Sequence, residues 1–322
     1  MQNSDRENNP LVSVILPTYN MAEHVVESVE SILGQTLQDF ELVIINDGST
    51  DDTETRLGSV VNHPKIVYRA QDNRGVAAAL NHGIRIARGE FIAIQNADDI
   101  SLPTRLEEQA KILAHDPEVE MVYCQAIFLY GDGRAARVRK GLPGNLSKEQ
   151  AFYRLFLENS EIHYAVMFRR RHFAGREPFS ETYWIGTDYL HHLKVAHDYR
   201  IQGIEHPLIK MRRGEHQNRL TGDYEQSSRD IRSVLWEVYT EFRDRPPRVS
   251  RSCYRKAMSH AYLGEARFFL KRRQYGLAVR RILRAFLYRL VNPKGATMLF
   301  KLPLKMFLAN FQNDRSTAPD QT

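Results

Sequence analysis

Glu90-Phe-Ile-Ala-Ile-Gln-Asn-Ala-Asp-Asp-Ile-Ser-Leu-Pro-Thr-Arg-Leu-Glu-Glu-Gln109 decides how the rest of this 322-residue chain is read. The run 91–94 is apolar and long enough for one buried strand, and it is followed by two adjacent carboxylates, Asp98 and Asp99. Pro103 comes four residues later, where a helix would begin and a missing N–H costs nothing. A strand that spills acids from its carboxyl end just ahead of a helix puts them in the crevice where open α/β sheets bind ligands. Hard carboxylate oxygens there suit Mg2+ or Mn2+ held together with phosphates. An isolated Asp-Asp pair reads as a solvated turn; the flanking strand and helix signals reverse that reading.

Upstream, Leu11-Val-Ser-Val-Ile-Leu-Pro17 is a first strand, with Thr18-Tyr19-Asn20 leaving its carboxyl end. Residues 22–33 carry Val25, Val26, Val29, Ile32 and Leu33 on one helical face. Phe40-Glu-Leu-Val-Ile-Ile45 is a second strand running into Asn46-Asp47-Gly48-Ser49-Thr50-Asp51, where Gly48 permits a tight turn and Ser49 or Thr50 a helix cap. A third strand, 66–69, precedes Asn73 to Gly83 and a helix ending near Gly89. Downstream lie a helix at 103–115, a long strand at 119–130, a Gly- and Arg-rich loop at 131–146, a helix at 147–158 and a strand at 164–168. A loop from Phe179 then enters a helix with Asp188 in its first turn and His191 and His192, structural or surface residues, in its middle; a strand at 199–211 and a polar loop at 212–218 follow. Near-continuous apolar strands alternating with helices predict an α/β fold, a mainly parallel central sheet with helices on both faces.

The totals agree with a globular protein: 42% hydrophobic and 10% aromatic residues. The two cysteines, Cys124 and Cys253, form no framework or metal spacing, which favours a reducing compartment. Residues 1–10 lack a signal-peptide core, and nothing reaches the ~18 apolar residues of a membrane span. The expectation is a cytoplasmic protein, peripheral at most on the inner face of the cell membrane.

The net charge of +6 conceals a split: residues 224–322 carry 20 Lys/Arg against 8 Asp/Glu, while 1–223 carry 25 against 31. Two domains are therefore expected, 1–223 and a basic helical region, 224–322. Helices are expected at 228–243, 250–272 and 275–291, interrupted by Pro246-Pro247. Between 245 and 310 there are 16 Lys/Arg and one acid, Glu265. Val279, Ile282, Leu283, Phe286 and Leu290 form an apolar stripe with Arg280, Arg281 and Arg284 beside it. Three readings of this region stay open: a cationic amphipathic surface for anionic lipid, an acceptor-binding or oligomerising layer, and nucleic-acid binding. The last is disfavoured, because no recognition motif or interleaved stacking aromatics accompany the charge.

Taken in order and spacing, Pro17-Thr-Tyr-Asn20, Asn46-Asp-Gly-Ser-Thr-Asp51, Asn73 to Gly83, Ala97-Asp-Asp99 with Pro103 and Arg105-Leu106, and Thr187-Asp188 resemble a family 2 glycosyltransferase of GT-A fold. The match covers about residues 11–220. The resemblance implies inverting transfer of a sugar from a nucleoside-diphosphate sugar, UDP-linked, with Mg2+ or Mn2+ neutralising charge on the leaving diphosphate. It implies Asp99 as metal ligand, Asp98 facing the ribose or sugar, and Asp47 accepting a hydrogen bond from the uracil N–H. Pro17, Thr18, Tyr19 and Asn20 would line the nucleoside pocket, and Arg74 would reach the diphosphate. Asp188 matches the general base that takes the acceptor's proton, Trp184 a wall for a sugar, and His216 a further metal or diphosphate contact. Bland readings stand beside these: core packing for Tyr19 and Trp184, solvent exposure for Arg74 and His216, a helix-dipole charge for Asp188. Three positions depart from the family, which often has an acid where this chain has Asn46, Asn96 and Thr187.

The implied acceptor is a glycan or lipid-linked glycan in surface polysaccharide synthesis. Membrane spans and the Gln-x-x-Arg-Trp motif of processive synthases are missing, which favours single additions. Two alternatives remain: a nucleotidyltransferase, for which no Gly-rich phosphate loop follows the first strand, and a non-catalytic nucleotide-sugar-binding scaffold, made conceivable by the three departures.

Overall fold

Strands β1 (Val12–Thr18) and β2 (Phe40–Asn46) are buried at every position, as strands covered on both faces must be. The computed structural model describes residues 9–130, 137–139, 141–158, 165–175, 177–213 and 224–289. Two units divide the chain, Met1–Asp230 and Ile231–Thr322.

In the first unit β1 lies between β2 and β4 (Phe91–Ile94), and β3 (Ile66–Ala70) extends the sheet beyond β2, all parallel. Past β4 the order continues through β8 (Met167–Arg169), β6 (Val119–Tyr130), β9 (Arg200–Arg213) and β5 (Ile100–Ser101), with β7 (Arg137–Arg139) paired to β6. Here β8 runs antiparallel to both neighbours, while β6 and β9 are parallel with register shifts around Cys124–Ala126 that bend the pair. The α/β expectation holds, with the wholly parallel half at β3-β2-β1-β4.

Helices α1 (Val25–Leu33), α2 (Thr53–Leu57), α3 (Val76–Ile86), α4 (Arg105–His115), α5 (Lys148–Glu158) and α6 (Thr187–Asp198) connect these strands. The first begins at Val25, where its apolar face starts and three residues after the expected start at 22. Met21 N–H donates to Thr53 Oγ1 and Ala22 N–H to Asp51 Oδ2, so this segment is tied to the loop after β2. Strand β5 has only two residues and no apolar run; its pairing with Ile209 and Lys210 creates it.

His191 and His192 are buried, which corrects the surface reading: their rings lie among Phe168, Phe173, Phe179 and His172. Burial, helped by the neighbouring His172, drives the His191 pKa well below its ordinary value, so its ring stays neutral.

The C-terminal unit takes in the later part of α7 (Tyr224–Phe242) together with α8 (Arg251–Lys271) and α9 (Tyr275–Arg289). Ser250 caps α8 by accepting from Cys253 N–H at 3.1 Å. On α9 the small residues Ala278 and Ala285 are buried, whereas Val279 and Leu283 of the expected stripe face solvent with Tyr275 and Leu287. Arg281 turns inward and pairs with buried Glu265 at 2.5 Å, opposite Arg232 on the other carboxylate oxygen. No helix among the described residues is long and apolar enough to cross a membrane.

Candidate active site

The carboxyl ends of β2, β1 and β4 lie side by side, so the residues leaving them share one edge of the sheet. Asp47 N–H donates to Thr18 O at 2.9 Å, carrying the β1–β2 ladder one step past β2. The Asp47 carboxylate is buried and accepts from Gln71 Nε2 (2.7 Å), Arg74 N–H (3.0 Å) and Gly75 N–H (2.8 Å). A carboxylate has about four lone-pair sites, so one stays available to a ligand N–H. Asp47 thus fixes the loop that opens α3. Gln71 also accepts from His82 Nδ1 at 2.7 Å, since its Nε2 is committed to Asp47.

Asn20 takes the left-handed backbone, φ 51°, that an Asn tolerates. Its Oδ1 accepts from Thr50 N–H (2.7 Å) and Asp51 N–H (3.3 Å), and its own N–H donates to Ser49 Oγ (3.0 Å). Asn20 therefore stitches two strand exits together. Gly48, at φ 71°, is a position where a Cβ would lie 2.8 Å from Asn73 N, so only glycine fits the turn. Asn46 donates to Tyr68 Oη at 3.1 Å and accepts from Ser49 N–H at 3.0 Å. An ionised Asp there could not donate to Tyr68 and would have to accept from its hydroxyl instead, taking it from Glu54, so Asn46 fits the hydrogen-bond order of this fold.

Beyond β4, Gln95 and Asn96 brace the acid turn. Gln95 Nε2 donates to Asp99 O (2.8 Å) and Ser28 Oγ (3.0 Å), and Ser28 Oγ donates to Asn96 O (3.0 Å). Asn96 Nδ2 donates to Asp99 Oδ2 at 3.0 Å. The residue that removes a charge from the family pattern orients one that remains. Behind the turn sits Arg105, fully buried, donating to Gln95 Oε1 (2.6 Å), Ser101 Oγ (2.9 Å), Ile94 O (2.6 Å) and Gln109 Oε1 (3.2 Å). Burial pulls its pKa down and the charge of Asp99 is among those that push it back, so guanidinium and carboxylate feel each other. Asp99 is buried and Asp98 half-buried.

The loop before α6 reaches the same edge. Asn81 of α3 makes a two-way pair with the Phe179 backbone, 2.8 and 3.1 Å. Two residues on, Glu181 meets the Arg74 guanidinium at 3.1 Å, and Ile185 N–H donates to Asp230 Oδ2 at 3.0 Å. Gly186, at φ 87°, turns the chain into α6, whose first turn presents half-buried Asp188; its Oδ1 accepts from Tyr189 N–H at 2.8 Å. Trp184 is 52% exposed, so it is no core residue, and Tyr19 is exposed at the end of β1. Thr18 Oγ1 and Thr187 Oγ1 are buried and have no hydrogen-bond partner among the described residues. These two hydroxyls, at the end of β1 and the start of α6, have acceptor and donor capacity left for a polar ligand.

Seven of the residues expected at a site, Thr18, Tyr19, Asn20, Asp47, Arg74, Asp98 and Asp99, thus end or leave neighbouring strands on one edge, and the Arg74–Glu181 pair joins to Arg74 the loop that precedes Trp184 and Asp188. Pro17 is buried within β1, and His216 lies outside the described residues. Gln71, Glu181 and Gln95 escaped sequence reasoning. The first two act through partners 24 and 107 residues away in the chain, which no local spacing reveals.

Among the described residues no three His, Cys, Asp or Glu side chains converge as a metal cage. The adjacent pair Asp98–Asp99 nonetheless fits Mg2+ or Mn2+ in the manner of sites that use one or two carboxylates and complete their shell with phosphate oxygens and water.

Residues 13–177, just over half of the chain, match the family described as Glycosyl transferase family 2. An uncharacterized glycosyltransferase of Methanocaldococcus jannaschii is 29% identical over 236 residues, 72% of this chain and 78% of that protein. Other curated relatives are matched over as little as 15% of their own length. Among solved structures, Staphylococcus aureus TarS 1-349 in complex with UDP-GlcNAc superposes with a TM-score of 0.66 at 17% identity, covering 85% of this chain and 81% of that one. The mannosyltransferase PcManGT of Pyrobaculum calidifontis, in complex with GDP-Man and Mn2+, superposes with a TM-score of 0.57 at 20% identity, covering 94% and 84%.

Proposed function

The chain belongs to glycosyl transferase family 2, and on that premise we propose that it is an inverting, metal-dependent enzyme that moves a sugar from a UDP-linked donor to a glycan or lipid-linked glycan. The observation that carries this reading is the carboxyl edge of β1, β2 and β4, where buried Thr18 with its orphaned hydroxyl, Asp47 with one acceptor site left and the Asp98–Asp99 pair leave adjacent strands. A UDP donor is favoured by the superposition with TarS, solved with UDP-GlcNAc.

Thr18, Tyr19, Asn20 and Asp47 hold the nucleoside, Asp98 the ribose or sugar, and Arg74 the diphosphate, while Trp184 walls the sugar side. Asp99, beside Asp98, would hold Mg2+ or Mn2+, as the Mn2+ in PcManGT supports. When bound, the ion would neutralise charge developing on the diphosphate. Asn96 keeps Asp99 oriented for it, and Arg105 holds the turn from behind. Asp188 takes the proton of the acceptor hydroxyl; the alkoxide oxygen bonds to the anomeric carbon as the carbon–oxygen bond to the diphosphate breaks. The electron pair leaves with UDP, and attack opposite the leaving group inverts the anomeric centre. His216 is an added diphosphate or metal contact in this reading.

UDP release from a panel of UDP- and GDP-linked sugars, with Mn2+ or Mg2+, tests the proposal. Metal-dependent turnover of one UDP-sugar is the expected result. Tight UDP binding without turnover of any donor would instead identify a nucleotide-sugar-binding scaffold.

A further inference from the structure

Helix α9 carries a second feature that sugar transfer does not use. Tyr275, Val279, Leu283 and Leu287 recur every four residues, so they form one continuous apolar strip, and all are exposed, Leu283 at 58% and Leu287 at 65%. The opposite side, at Ala278 and Ala285, is the one packed inside the helical unit. Arg280 and Arg284, both exposed, border the strip on one side, and Lys271, Arg272 and Arg273 are exposed where α8 ends. The sole acid between 245 and 310, Glu265, is buried and engaged by Arg232 and Arg281, so no carboxylate from this stretch offsets the cationic border.

We propose that this face of α9 lies on the surface of an anionic lipid bilayer, its strip in the acyl boundary and its arginines at the headgroups. An exposed apolar face beside a cationic rim is the pattern of a helix in the membrane interface. A second copy of the chain fits less well, because an antiparallel two-fold pairing of this face would set one basic rim against another, and a parallel one would leave both rims without an anionic partner. The inference deepens the proposed function by placing the enzyme where a lipid-linked acceptor resides, and rests on it for that consequence alone.

The test is co-sedimentation of the full chain with vesicles of phosphatidylcholine, and of phosphatidylcholine mixed with phosphatidylglycerol. Binding is expected only to the mixed vesicles at low salt and weakens as salt rises. Leu283→Glu with Leu287→Glu should cut partitioning by about tenfold or more, and Arg280→Ala with Arg284→Ala should flatten the salt dependence. Both doubly substituted chains keep acceptor-free UDP release; the Glu variant keeps the wild-type melting temperature because its side chains face solvent, and the Ala variant melts within a few degrees of it, Arg284 giving up only a 6.0 Å contact over the Tyr262 ring. Wild type indifferent to mixed vesicles, or the Glu variant binding as well as wild type, overturns the inference. So does light scattering in which the Glu substitutions turn a dimer into a monomer, since the face then belongs to a second copy. Vesicle binding lost with UDP release intact overturns only the docking surface; vesicle binding intact with no UDP release from any donor overturns only the proposed chemistry.

Discussion

Asp188→Asn is expected to lower sugar transfer by about 10²–10⁴-fold, the span associated with losing a positioned general base. The substitution keeps the volume, and an Asn oxygen can still accept from Tyr189 N–H, so the first turn of α6 stays formed. It deletes the one property that transfer requires, a carboxylate able to take the acceptor's proton. UDP affinity should stay within a few-fold of wild type, because the nucleoside and diphosphate contacts proposed above leave β1, β2, β3 and β4 rather than α6. Initial rates and UDP calorimetry on the two proteins separate these effects. Transfer within a few-fold of wild type would assign Asp188 to the helix dipole alone.

Glu265→Ala is expected to destabilise the helical unit by about 3–5 kcal/mol, the range for removing one partner of a buried ion pair. Glu265 is 3% exposed, and its two oxygens face Arg232 and Arg281 separately. Arg232 also lies 5.0 Å from the centre of the Tyr262 ring, and Arg281 lies 5.7 Å from that of Phe269. Deleting the carboxylate leaves two guanidinium groups close together and mostly out of water. Replacing all three residues by Met and Leu of similar volume should recover most of the loss, because such cores tolerate apolar substitution of ion pairs. Urea titration followed by circular dichroism reads both variants; a loss below about 1 kcal/mol for Glu265→Ala would mean the pair behaves like an exposed one.

What the sequence disclosed tracks how local each signal is. Strands β1, β2 and β4 were legible because burial on both faces leaves an unbroken apolar run, and the acids beyond β4 were legible because strand, acids and Pro103 are adjacent. Strand β5 was not, since Ile100 and Ser101 are extended only because β9 pairs with them. The helical period found the amphipathic character of α9 but not which side is covered. Ala278 and Ala285 decide that by permitting close approach to the rest of the unit, and Arg281 turns inward because a buried carboxylate waits there. The candidate site followed the same rule. Thr18, Asp47, Asp98 and Asp99 end or follow strands and were found, whereas Gln71 and Glu181, which hold Asp47 and Arg74, and Ser28, which anchors Gln95 behind Asp99, depend on contacts across the fold. Asn46 and Asn96 read as lost charges; in the fold both donate hydrogen bonds that an Asp could not.

Calorimetric titration of UDP into wild type and Asp99→Asn, each with Mn2+ and with chelator, is the most direct test of a cation shared between the acid pair and the diphosphate. In wild type, removing Mn2+ should weaken UDP by about tenfold or more, a coupling of ordinary size for two ligands that touch. In Asp99→Asn the same removal should change little, with both affinities near the chelated wild-type value. UDP binding that ignores Mn2+ in wild type, or that depends on it equally in both proteins, would contradict the placement of the ion on Asp99 of the acid pair.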